Sequence, residues 1–68
     1  MTRIEYAVVL SVKQALSYEV ARYQSSLEYW TTGKGASNAA AKKSIDFCNA
    51  RIVALTTAIE QIDMLKPE

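Results

Sequence analysis

Residues 41–62 read AKKSIDFCNARIVALTTAIEQI, and this stretch decides the fold. Its apolar residues Ala41, Ile45, Cys48, Ile52, Leu55, Ile59 and Ile62 are spaced by alternating steps of four and three. That heptad spacing keeps one stripe of an α-helix turned toward a neighbouring helix, with isoleucine at every a-type position from Ile45 onward. Ser37 ahead of the stretch suits an N-cap and Pro67 beyond it marks an end, so a helix is predicted over about 37–66.

Upstream, Thr31-Thr32-Gly33-Lys34-Gly35-Ala36-Ser37 interrupts the periodicity with β-branched residues and two glycines able to take φ > 0, and reads as a turn. Before it, residues 3–30 contain neither glycine nor proline. Val9, Val12, Leu16, Val20, Tyr23, Leu27 and Trp30 recur there at three- and four-residue steps. Thr2 followed by Glu5 forms a capping box, so a first helix is predicted over about 3–32. Each helix is about 45 Å long at 1.5 Å per residue, and so short a turn makes the two antiparallel neighbours. The fold class is all-α, one helical-hairpin domain spanning residues 1–68.

A chain of 68 residues buries little surface unless it is stapled, metallated or oligomeric. Cys48 is alone and histidine is absent, so no internal disulfide and none of the usual zinc spacings is available. Oligomerisation remains. A second stripe on the later helix, Ala40, Phe47, Ala54, Ala58 and Leu65, lies about 110° from the heptad seam at roughly 100° per residue, and its alanines admit a close neighbour. Phe47, Ala54, Ala58 and Leu65 are therefore the expected oligomer interface, within a four-helix bundle of two hairpins or a higher closed oligomer.

Formal charge is +1, which points to neither a generally basic nucleic-acid binder nor an acidic DNA mimic, so RNA or DNA binding ranks third among the binding readings. The apolar run Tyr6–Leu10 is too short for a signal sequence, no segment reaches the length of a membrane span, and a lone thiol agrees with a reducing compartment; a cytoplasmic protein is expected. Enzymatic chemistry finds little support. Cys48 would need a base other than histidine and holds a seam position suited to a small buried hydrophobe. The carboxylates are scattered along polar faces without the di-iron pattern, and no cofactor or metal is implied. Lys42, Lys43 and Asp46 read as helical ion pairs.

Two surfaces stand out as candidates for binding. Tyr18 and Tyr29, close to three whole turns apart, project with Arg22 nearly opposite the seam of the first helix, and Tyr6 and Leu10 extend that face. Tyr and Arg are residue types enriched at interface hot spots, so a protein partner is the leading expectation. At the turn, Lys34, Ser37, Lys42 and Lys43 surround the start of the second helix, where free amides and lysines attract anions; a phosphorylated small molecule or nucleotide is the alternative. The Gly33-Lys34-Gly35 stretch lacks the spacing of a Walker loop and no strand precedes it.

In size and layout the chain resembles the small plasmid RNA-binding hairpins that dimerise into four-helix bundles. The likeness is one of architecture without a shared motif, and architecture does not carry function. A short, self-associating, non-enzymatic chain of this type fits a phage or mobile-element accessory protein that binds and inhibits a host component.

Overall fold

The computed structural model describes residues 2–65, and they form two α-helices, α1 (Arg3–Thr31) and α2 (Ala41–Asp63), with a single 3-10 turn at Lys34–Ser37 between them. No strand occurs among the described residues. The helices lie side by side and antiparallel in a rod of 51 × 14 × 12 Å. No described helix is long and apolar enough to cross a membrane.

α1 begins where the capping box implies, and half of that box is formed: the Glu5 amide donates to Thr2 Oγ1 at 3.1 Å, while the return bond from the Thr2 amide to the Glu5 carboxylate is absent among the described residues. It ends one residue earlier than expected, and threonines end it. The Thr31 and Thr32 hydroxyls donate to the carbonyls of Leu27 and Glu28, and the Thr32 and Gly33 amides also converge on Glu28. The chain thus leaves the helix around the Glu28 carbonyl, without a left-handed residue. Neither glycine has positive φ, against expectation. What the turn requires of them is close approach: a Cβ on Gly33 would stand 2.9 Å from the Tyr29 backbone, and one on Gly35 would stand 2.6 Å from the Tyr29 ring and 2.7 Å from the Trp30 ring.

α2 starts at Ala41, some four residues later than predicted, because Ser37 belongs to the 3-10 turn and does not cap. Asn38 does that work. Its backbone is extended, its Oδ1 accepts from the Ala40 amide at 2.8 Å and its carbonyl accepts from the Ala41 amide, the arrangement of an N-cap followed by one tight turn. α2 closes at Asp63, short of the expected end; Lys66 and Pro67 lie outside the described residues.

The seam of α2 is as the heptad pattern has it, with Ala41, Cys48 and Leu55 buried and Ile45, Ile52, Ile59 and Ile62 half-buried. The seam of α1 differs in one turn. Tyr6, Val9, Leu16, Val20, Tyr23, Leu27 and Trp30 are half-buried, but between Val9 and Leu16 the contact position belongs to Lys13 and Val12 is 48% exposed. Lys13 lays its stem along the seam and ends in an ion pair with Asp63, so a charged residue fills an interior position by reaching its tip to the rim. Together with two further contacts this pair brackets the register: the Tyr23 and Phe47 rings meet edge to face at 5.9 Å, and Arg51 stacks over the Tyr23 ring at 5.7 Å. The pairs expected of Lys42 and Lys43 with Asp46 are not formed; among the described residues the helix-internal ion pair is Arg22 with Glu19, 2.7 Å apart.

Candidate functional site

The residues expected to gather an anion at the turn do not converge. Ser37 is exposed within the 3-10 turn, Lys34 opens that turn, and Lys42 and Lys43, being consecutive on α2, project about 100° apart. Two of the amides an anion would use, those of Ala40 and Ala41, already donate to Asn38. Lys43 alone of this set turns toward a concave surface.

The outer face of α1 is divided as well. Tyr18 stands 66% exposed and points away from α2, as its spacing implies. Arg22 is exposed but engaged with Glu19. The Tyr29 ring folds back over Gly35 and meets Trp30 edge to face at 5.0 Å, so it helps to close the turn. Leu10 is exposed, whereas Tyr6, expected on this face, is half-buried on the seam.

A different surface emerges on one flank of the hairpin. A groove of about 350 Å3 runs between the helices near the turn end, with Tyr23 and Trp30 of α1 facing Phe47 of α2. The Cys48 thiol, on a residue only 4% exposed, forms its floor, while Ser26, Ser44 and Lys43 rim it. A shallower hollow lined by Arg22, Tyr23, Ser25 and Ser26 continues it. Because Ser26 and Phe47 border one groove, the helical stripes through them share one side of the molecule. On α1 that stripe runs Ile4, Val8, Val12, Ala15, Glu19, Arg22, Ser26; on α2 it runs Phe47, Arg51, Ala54, Ala58, Gln61, Leu65, both at three- and four-residue steps.

This flank gathers exposed apolar side chains of both helices, Ile4 at 80% exposure, Val8, Val12, Phe47 at 58% and Leu65, while Leu10, Val53 and Met64 are exposed off it. Sequence reasoning found its α2 half through Phe47, Ala54, Ala58 and Leu65, and missed the α1 half. The signal was present in Ile4 and Val8, which lie off the seam, but assigning Val12 to the seam broke the stripe that joins them. Comparison of the chain with protein-family models, with curated proteins and with solved structures found no match.

Proposed function

We propose that the chain is a non-enzymatic interaction protein that works as a homo-oligomer of hairpins, most simply a four-helix bundle of two, and engages a protein partner through the outer face of α1. The observation that supports self-association is the two-helix apolar flank, which a lone hairpin leaves in water. The three most enclosed apolar residues, Ala41, Cys48 and Leu55, are small to medium in size, and no described side chain is completely removed from solvent, so the seam between the two helices alone makes a thin core. Buried as the floor of a groove, without histidine in the chain, the Cys48 thiol serves as packing.

Once the flank is covered, Tyr18 and Leu10 remain available on the outside, and they are the residues offered to a foreign partner, with Arg22 and Tyr29 at its margin. An inhibitory accessory role, as in a phage or mobile element, is the setting this reading suits, and the cytoplasm its place. Tyr18→Ala combined with Leu10→Ala is expected to leave mass and helicity unchanged while abolishing capture of the partner; unchanged capture would remove this face from consideration. A partner lost with Val8→Arg chains but kept by the double-alanine chain would assign the flank to it instead.

A second reading is favoured by the groove itself. Aromatic walls with Lys43 at the rim and Arg51 beside Tyr23 suit a planar phosphorylated molecule such as a nucleotide. Lys34, Ser37 and Lys42 lie off that groove, so Lys43 is the residue it rests on. A ligand bound only by the folded protein raises its melting temperature, and a flat response to nucleotides at millimolar concentration would dismiss this reading.

A further inference from the structure

We infer that the flank of the hairpin is covered by a second copy of the chain arranged head to tail, turns at opposite ends, so that the aliphatic open end of each copy fills the aromatic groove of the other. The inference rests on the dimer proposed above and adds its geometry.

The area fits a second copy. The chain exposes 5161 Å2, whereas a folded monomer of its mass exposes about 4,200 Å2 by the usual scaling with size. The difference, roughly 900 Å2, is close to the ~800 Å2 that each partner contributes to a standard interface.

The register then chooses the orientation. The cross-helix contacts of Lys13 with Asp63, Tyr23 with Phe47 and Tyr23 with Arg51 bracket a register, and its middle puts Val8 about level with Leu65, Ala15 with Ala58 and Arg22 with Arg51. If two flanks met with both turns at the same end, α1 of one copy would lie on α2 of the other at equal height. Arg22 of each copy would then face Arg51 of the other, a like-charge contact made twice by symmetry.

With the turns at opposite ends, each helix lies antiparallel on its own counterpart. On α2, one register sets Phe47 on Leu65, Arg51 on Gln61 and Ala54 on Ala58 of the second copy. On α1, the register at the same height sets Ile4 on Trp30, Val8 on Ser26 and Val12 on Arg22. Both registers centre at one height, between Ala15 and Glu19 on α1 and between Ala54 and Ala58 on α2, so a single two-fold axis serves both helices. Alanines at that centre permit close approach, Glu19 there lies on Ala15 of the second copy with its charge held by its own Arg22, and no cation meets a cation. Ile4 and Val8 arrive at the α1 wall of the groove, and Leu65 arrives at its Phe47 wall.

Charge along the rod agrees. The turn half carries Arg22, Lys34, Lys42, Lys43 and Arg51 against Glu19, Glu28 and Asp46, while the described open half carries Arg3 and Lys13 against Glu5, Glu60 and Asp63. Head-to-tail packing sets the positive half of each copy on the negative half of the other.

The test is site-directed cross-linking of mixed single-cysteine chains in a Cys48→Ala background with a short bis-maleimide. Val8→Cys chains mixed with Ser26→Cys chains are expected to give a covalent heterodimer, and Val8→Cys mixed with Leu65→Cys is not. In the same-end arrangement the first pair is separated by 18 residues of rise, about 27 Å, beyond such a reagent. The reverse pattern overturns the orientation and keeps the dimer. No cross-link from either mixture in a protein of dimeric mass removes the flank as the interface. The mass of one hairpin overturns the dimer too, and with a melting temperature raised by ATP it would give the groove to a nucleotide.

Discussion

Gly33 and Gly35 sit under α1 because nothing larger fits. At φ −92° Gly33 is in ordinary backbone territory, and its obstacle to a side chain is the Tyr29 backbone, which cannot swing aside. Gly33→Ala is therefore expected to destabilise the hairpin by about 1–3 kcal/mol, the range for overpacking, read as a lower urea midpoint. Gly35→Ala would meet two rings at once, Tyr29 at 2.6 Å and Trp30 at 2.7 Å, so a loss in the same range is expected there. The start of α2 makes a contrast. Asn38→Ala is expected to cost about 1 kcal/mol because it frees a cap, while Ser37→Ala stays within about 0.5 kcal/mol. Sequence signals favoured Ser37 because serine and asparagine are comparable caps and sit side by side here. The choice between them is made by the 3-10 turn, a property of how Gly35 packs on Trp30 and invisible to local propensity.

At the scale of the helices, the seam of α2 was legible in full, since its heptad repeat carries no ambiguity from Ala41 to Ile62. The seam of α1 was legible except at one turn. Val12 and Lys13 are adjacent, an apolar count prefers the valine, and the helix instead buries the lysine stem because Asp63 of α2 receives its tip. Lys13→Glu places like charges together at this site and should lower stability by about 1 kcal/mol, modest because both partners stay partly in water. Val12→Ser, by contrast, should leave the stability of a single hairpin nearly unchanged and weaken only what packs on the flank. Comparing the two variants by chemical denaturation at high and low protein concentration separates the seam from the flank, since only the flank's contribution varies with concentration.

At the scale of the whole molecule, two helices can hide one stripe each, and this chain has two on each. One set forms the hairpin. The other set, from Ile4 to Ser26 on α1 and from Phe47 to Leu65 on α2, lies on a single side, and in the proposed dimer it would make the hairpin one half of a larger core. The α2 half of that second set could be read from the sequence because alanines and Phe47 repeat cleanly, whereas the face of Tyr18, Arg22 and Tyr29 looked uniform on a helical wheel and is not. Tyr29 is drawn to the turn and Arg22 to Glu19, interactions that only the three-dimensional arrangement reveals. Phe47→Arg together with Val8→Arg puts two charges into the flank and is expected to leave a monomer whose melting temperature no longer depends on concentration.

The leading proposal for this chain depends on the flank being covered by another copy of itself. The measurement that bears on it most directly is the absolute mass of the unmodified protein by light scattering after size exclusion, across a concentration series down to low micromolar. A mass twice the 7.5 kDa of one chain, falling to 7.5 kDa in the Val8→Arg, Phe47→Arg variant, is the predicted result. A mass of 7.5 kDa for the unmodified protein throughout the series would contradict it.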